Sequence, residues 1–431
     1  MRPLWHVART PTAETGVSKR YDLVVTTPAP PQYRPGPKYV LLLGSLAAVP
    51  AITTDIYLPS LPTVGAELGA TAAAAQLTIS GMLVGGAVGQ LVIGPLSDRF
   101  GRRLPVLVGL LGHVLTSVLC MIAPNITALI ALRVLQGFFN AAASVVAIAV
   151  IRDRFVGSDA ARLLSRLMLV IGVAPLFAPA VGGAIAHAWT WRGVFGVLAG
   201  LGVALAVLVW RFMPETLPAD RRRIAGPRGV ARGYLELLRD RRFMALALIP
   251  GMAQAVIMSY VVGSTYVFQR EHGLDANQFA LLFAINGVAL VGGAQVNAHL
   301  VKRLAPLRVL RVAIVVQAVL GLTLVAVTAS GLGGLALMCV VLWLMLSMQG
   351  LVPGNASVLA LNDYGHMAGT AAAFLGAMQA ALGGLVAPIV GFTGGTGVSM
   401  VAVMTGSVLV GFTVLAVATP AYRRGGAWGA P

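Results

Sequence analysis

Charge is what this 431-residue sequence has least of. Only 10% of its residues are Asp, Glu, Lys or Arg, against 58% hydrophobic, and mean hydropathy is +0.85. Soluble domains carry roughly a quarter charged residues, so a chain this apolar has too little polar surface to cover itself in water. Cysteine is nearly absent. Cys120 and Cys339 both sit in apolar runs and give neither a disulfide framework nor metal-ligand spacing. Lysine is scarce too, at positions 19, 38 and 302, and there is no GxxxxGK[ST] phosphate loop. Direct drive by ATP is therefore not expected. Neither a His/Asp/Cys cluster nor a nucleophile triad is visible, which argues against a membrane enzyme and against a bound metal or cofactor. The period-two alternation of a membrane β-barrel is missing as well.

What the sequence does have is a succession of apolar runs about twenty residues long, each able to span a bilayer core as a helix. A helix also satisfies its own backbone hydrogen bonds there. The expected fold is an all-α membrane protein with twelve transmembrane helices, at 40–62, 74–97, 104–123, 128–151, 163–187, 192–213, 243–268, 277–300, 306–329, 332–357, 368–391 and 395–419. The breaks fall at turn-forming stretches such as PNIT, 124–127, and the Gly pair at 394–395. Span 5 should be the least straight, because Pro175 and Pro179 lie within it.

The net charge of +17 would suggest nucleic acid in a soluble protein. Its distribution argues otherwise. Of the 31 basic residues, 28 fall on one side of the twelve-span arrangement; Arg192 and Arg270 lie on the other, and Arg133 falls inside a span. By the positive-inside rule both termini and the central loop are cytoplasmic, and no nucleic-acid partner is needed to account for the charge. Residues 1–37, rich in Pro and charge without a long apolar region, read as a disordered cytoplasmic tail rather than a signal peptide. A short cytoplasmic tail follows at 421–431.

Between 214 and 242 the composition turns polar: PETLPADRRRIAGPRGVARGYLELLRDRR. This linker divides the chain into two six-helix halves, 38–213 and 243–420. Parallel halves facing a central cavity are an architecture of secondary transporters, working by alternating access. A fixed pore suits twelve such spans less well.

Three local patterns carry the chemistry. GPLSDRFGRR, 94–103, places Asp98 and Arg99 between a helix end and the arginines Arg102 and Arg103, with Gly94 and Gly101 suited to close approach or a tight turn. Gly81, Gly85 and Gly89 repeat every four residues on span 2, a tight-packing pattern. Arg133, Gln136 and Asn140 recur at i, i+3 and i+7, giving span 4 one polar face. That face lines a cavity or hydrogen-bonds a neighbouring helix.

Asp55, in TTDIYLPSLP, stands in an apolar stretch that carries no charge after Lys38. Counting along span 1 puts it roughly 22 Å from the cytoplasmic boundary, at 1.5 Å per residue. Counting along span 4 puts Arg133 roughly 8 Å below the outer boundary. In a core of about 30 Å these are nearly the same depth, so the two pair if their helices are adjacent. Either they form a permanent ion pair that fixes packing, or Asp55 exchanges a proton; intramembrane ionisable residues usually face pathways. Adaptable apolar and aromatic side chains with a few amides suit a small-molecule site. The candidates are Tyr57, Gln136, Asn140, Met252, Met258, Tyr260, Asn286, Trp343 and Gln379.

GPLSDRFGRR resembles the cytoplasmic loop motif of the major facilitator superfamily. TTDIYLPSLP, LRVLQGFFNAAASVVAIAVIRDRF (132–155), APAVGG (178–183), ETLPADRRR (215–223) and HMAGTAAA (366–373) are similar to segments of its Bcr/CflA group of drug:proton antiporters. The resemblance implies proton-driven export of antibiotics from a bacterial cytoplasmic membrane by a monomer, with the proton as coupling ion and lipid and a small drug-like molecule as partners. It implies proton coupling at Asp55 and Arg133, a cytoplasmic latch at Asp98, and a bending seam on the fifth helix with Pro175, Pro179, Gly182 and Gly183. Export of a metabolite or a self-made antibiotic is the alternative.

Overall fold

The computed structural model describes residues 37–155, 157–222 and 226–418. The two expected tails lie outside the described residues, except that Pro37 opens the first helix rather than ending the tail. Every regular element among the described residues is helical. In chain order these are α1 (Pro37–Asp55), α2 (Leu61–Glu67), α3 (Ala72–Phe100), α4 (Arg103–Met121), α5 (Ile126–Arg154), α6 (Gly157–Phe212), α7 (Pro227–Arg239) and α8 (Arg241–Thr265). They continue as α9 (Ala276–Leu300), α10 (Pro306–Ser330), α11 (Gly334–Gln349), α12 (Val352–Leu361), α13 (Ala368–Val386), α14 (Ile389–Phe392) and α15 (Gly397–Ala418).

Helix starts are set by short polar side chains that accept from free N–H groups. Thr71 accepts from Ala74 at 3.2 Å and Asn125, in the expected PNIT turn, from Ala128 at 2.9 Å. Asp275 forms a reciprocal capping box with Gln278. Gly394 and Gly395 turn the chain with positive φ, as the GG pair suggested.

Among the described residues eleven helical stretches are long and apolar enough to cross a membrane. The difference from twelve lies in α6. At 56 residues it would run about 84 Å, far more than one crossing needs. Its helix breaks at Trp189 and at Thr190, whose φ is +60°, so spans 5 and 6 are the two limbs of α6. Pro175 and Pro179 do not interrupt the helical backbone; the bend expected on span 5 is instead this break beyond its end. Elsewhere single expected spans prove to be two pieces. Span 1 continues past Asp55 through a short turn into α2, span 10 is α11 plus α12, and span 11 is α13 plus α14. The linker holds an unexpected helix, α7, whose Tyr234 donates to the Leu91 carbonyl of α3 at 3.0 Å.

The two halves repeat their packing. In the first, α3 lies against α5, α1 against α5 and α4 against α6; in the second, α9 lies against α11, α8 against α12 and α10 against α15. Glycine makes the closest contacts possible. A Cβ on Gly85, Gly89 or Gly137 would run into the backbone carbonyl of Val134, Phe138 or Met82, and one on Gly293 into that of Ser347. The Gly81, Gly85, Gly89 repeat is therefore a packing seam. Between halves, α3 packs on α13 and α6 on α9.

The ends of the bundle differ. At the end away from the basic loops, Tyr57, Leu58, Leu61 and Val64 share one buried cluster with Tyr266, Val267 and Phe268 from the other half. Tyr266 also reaches the Leu61 carbonyl at 3.4 Å. At the basic end the first half keeps a core of its own, built on residues such as Leu43, Leu46, Val106, Val146 and Val150.

Candidate functional site

A cavity of about 290 Å³ opens at mid-depth between the halves. The first half contributes Thr54 and Asp55 from α1, Met82 and Gln90 from α3, and Asn140 and Ser144 from α5. The second contributes Gln254, Met258 and Tyr260 from α8 and Phe283 and Asn286 from α9. Among the described residues Asp55 is its single carboxylate, and no basic side chain lines it.

Asp55 is buried at the last residue of α1. Among the described residues no side chain hydrogen-bonds or ion-pairs with its carboxylate, so the pair with Arg133 is not formed. Arg133 is fully buried and turned elsewhere. Its Nη1 donates to Gln136 Oε1 at 2.6 Å, and the guanidinium reaches the Thr53 and Thr78 carbonyls at 3.5 and 3.4 Å. It also lies over the rings of Tyr57 and Phe195, at 4.9 and 5.6 Å. Gln136 passes the chain of bonds to Ser117 at 2.7 Å. The two residues do share a level along the bundle, since the Arg133 guanidinium reaches the Thr53 carbonyl, but it lies over Tyr57, about 200° around from Asp55 by helical spacing, and so turns away from the carboxylate.

This geometry sorts the expected drug contacts. Asn140, Met258, Tyr260 and Asn286 line the cavity. Tyr57 and Gln136 do not; they belong to the Arg133 network, where Thr78 donates to Tyr57 at 3.2 Å. Met252 faces a separate small void beside Gln317 and Ser407. Trp343 is partly exposed and donates to the Ile285 carbonyl, and Gln379 bonds the Leu375 carbonyl of its own helix. Missed were Gln90, Gln254, Met82 and Phe283. Helical spacing from the correct anchors finds two of them: Gln254 is four before Met258 and Phe283 three before Asn286.

At the basic end the loop motif is a bonded cluster. Arg102 Nη1 meets Asp98 at 2.6 Å and Ser97 at 2.7 Å, and its Nε meets Asp153 at 2.7 Å. Burial disfavours the charge on Arg102, but the hydrogen bonds and charges of Asp153 and Asp98 outweigh it and hold the guanidinium protonated. Gly101 makes the turn with φ +89°. Gly94 meets nothing, so the close approach expected there is absent. Arg99 lies over Phe100, and Arg103 bonds the Trp210 carbonyl. The unforeseen member is Glu215, which accepts from the backbone N–H groups of Arg102, Arg103, Thr216 and Leu217. Among the described residues these bonds join the first half to the start of the linker, and Asp98 is ion-paired with Arg102 rather than with the second half. On α6, Gly182 lets that helix cross α1 at the Ile56 carbonyl, with half-buried Gly183 beside it and Pro179 buried a turn before. The side chain of Pro175 lies outside the described residues.

The sequence model of the Major Facilitator Superfamily matches residues 43–388. The chain belongs to this superfamily. Major facilitator proteins move small molecules across membranes, and this one is a multi-pass transporter. It is 36% identical over 372 residues to the uncharacterized transporter YdgK of Bacillus subtilis, covering 86% of this chain and 92% of that one. It is 28% identical to a bicyclomycin resistance protein homolog of Haemophilus influenzae, covering 82% and 88%. A chloramphenicol resistance protein of Pseudomonas aeruginosa is 30% identical, over 78% and 79%. In fold the chain is similar to a bacterial homolog of the lysosomal transporter Spinster, solved inward-facing and unoccupied, with TM-score 0.70, 15% identity and coverage of 91% and 98%.

Proposed function

We propose that this transporter exports drug-like small molecules across a bacterial cytoplasmic membrane, driven by protons and working by alternating access as a monomer without a bound cofactor. Asp55 carries the reading. Among the described residues it is the one carboxylate on the wall of an otherwise uncharged cavity between the halves, and no cation pairs with it. An acid so placed is able to take a proton on one side and give it up on the other as the halves move. A permanent ion pair would hold its charge fixed.

The shared core at one end and the separate core at the basic end support a cavity sealed outside and facing the cytoplasm. In that state the site is positioned to load from within, as export requires. The resistance proteins named above support drugs as cargo.

The test is transport by purified protein in proteoliposomes with an imposed pH gradient, using chloramphenicol and bicyclomycin as probes. Accumulation against the drug gradient, abolished by a protonophore, is expected for at least one. Uphill movement indifferent to the protonophore, or no movement of either, would overturn the reading.

A further inference from the structure

Two buried amides on the cavity wall lack partners. Asn140 of α5 is 2% exposed, and neither its Nδ2 nor its Oδ1 is hydrogen-bonded. Asn286 of α9 is 1% exposed; its Nδ2 donates to Tyr260 at 3.0 Å while its Oδ1 has no partner. Buried polar atoms are normally satisfied, and exceptions call for an explanation. Both line the same cavity, one from each half. Neither is loosely held. Gly137, one turn from Asn140, packs on the Met82 carbonyl, and Tyr260 stacks on Phe283 at 5.5 Å.

We propose that Asn140 and Asn286 are a two-sided amide clamp that selects uncharged substrates bearing a hydroxyl or an amide. The inference rests on the export reading of this same cavity. Asn140 offers both a donor and an acceptor, so its complement must accept and donate. A hydroxyl or amide does both, an ammonium only donates and a carboxylate only accepts. The free Oδ1 of Asn286 asks for a second donor. A carboxylate would also face Asp55 with no cation among the described wall residues to offset it. The rest of the substrate meets Met82, Met258 and Phe283, which suit an apolar or aromatic body. The volume, about 290 Å³, lies at the lower end for small-molecule sites.

The experiment measures binding to the full-length protein in detergent with four forms of one scaffold. These are chloramphenicol, its analogue with fluorine in place of the primary hydroxyl, its cationic amine lacking the acyl group, and its anionic hemisuccinate. Wild type should prefer chloramphenicol to each of the others by about tenfold, the worth of one ordinary hydrogen bond. Asn140→Leu and Asn286→Leu should each weaken chloramphenicol about tenfold. Against the fluorinated form their preference should shrink, while Asn140→Ser, which keeps a donor and an acceptor, retains part of it. Size-exclusion profiles check folding. A wild-type preference for the cation or anion, no binding of any form, or leucine variants that keep the full preference would overturn the clamp. Proton-driven uphill transport without this preference would leave the export reading standing and the clamp fallen. The preference without uphill transport would do the reverse.

Discussion

At the basic end Arg102 meets Asp98 at 2.6 Å and Asp153 at 2.7 Å, whereas at mid-depth Arg133 and Asp55 share no bond though both are buried. The second half has its own matched cluster at the basic end. There Arg242 pairs with Asp363 at 3.0 Å, and Asp240 accepts from Tyr364 and caps α8. The Tyr364 hydroxyl, then the Phe243 and Arg242 amides, hold the Asp240 carboxyl below its ordinary range. Matched charges of this kind tie helix ends and loops together within each half. The unmatched pair is costly where it lies, because a buried charge without a partner is strongly disfavoured. Bonds that hold the structure sit where water reaches; the charges left apart sit beside the cavity.

The largest expected effect comes from removing the unmatched acid. Asp55→Asn deletes no bond to another side chain, so the protein should insert and melt like wild type. It should nevertheless lose uphill export while retaining downhill exchange of substrate. The drive it forfeits is about 2.3 kcal/mol per charge for each 100 mV. Proteoliposomes with and without a pH gradient separate the two modes. An Asp55→Asn protein that still concentrates drug would reduce this residue to a lining role.

Arg133→Met is the complementary test. Among the described residues no carboxylate pairs with this guanidinium; it holds a side-chain amide, two carbonyls and two rings. Removing the guanidinium lifts a costly buried charge but strands Gln136 Oε1 without its donor, at about 1–3 kcal/mol. The two effects oppose, so the melting temperature should shift by no more than a few degrees while pumping is lost. A larger fall would make Arg133 a fastener like Arg102, and the contrast between the two regions would fail.

Gly85→Val probes the scaffold that keeps both charges at one depth. The added Cβ meets the Val134 carbonyl, and overpacking of this kind costs about 1–3 kcal/mol. Reduced thermal stability with partial transport is expected. An unchanged melting curve would mean that α3 and α5 part easily and that the seam does not fix the geometry.

How far the sequence reveals this molecule follows from which interactions are local. Apolar runs of bilayer length, basic loops and the Gly repeat on span 2 depend on spacing along one helix, and the helices and the α3–α5 seam follow from them. The break at Trp189 and Thr190 falls in the 188–191 gap between the expected spans 5 and 6, although neither Pro nor Gly marks it. In the candidate site, relative level is a matter of counting residues, and Arg133 does lie level with the Asp55 end of α1. Which face turns to which neighbour depends on how helices rotate about one another. That is why Arg133 went to Thr53 rather than Asp55, and why Met252 and Trp343 missed the cavity. Nothing in ETLPADRRR singles out Glu215, because its partners at 102 and 103 lie more than a hundred residues away.

The smallest effect should come from Glu215, and its sign with pH is fixed. Burial works to raise its pKa, but the backbone N–H groups of Arg102, Leu217, Arg103 and Thr216 outweigh this and hold the carboxyl below its usual range. It also sits at the N-terminus of α4, where a negative charge is favoured by up to about 1 kcal/mol at an exposed site. A group whose folded pKa is lowered stabilises fully above its unfolded pKa, about 4.3 for Glu, and loses that contribution as pH falls through the folded value. Glu215→Gln should therefore melt slightly below wild type at pH 7, by the equivalent of about 1 kcal/mol or less. The gap should narrow as pH drops under about 4.3 and the wild-type acid itself is neutralised. Transport near neutral pH should change little, since no bond of Glu215 reaches the cavity. Melting curves in detergent at the two pH values decide it: a gap that is absent at pH 7, or that widens in acid, would show that the charge on Glu215 is not what holds the 101–103 turn to the segment after α6.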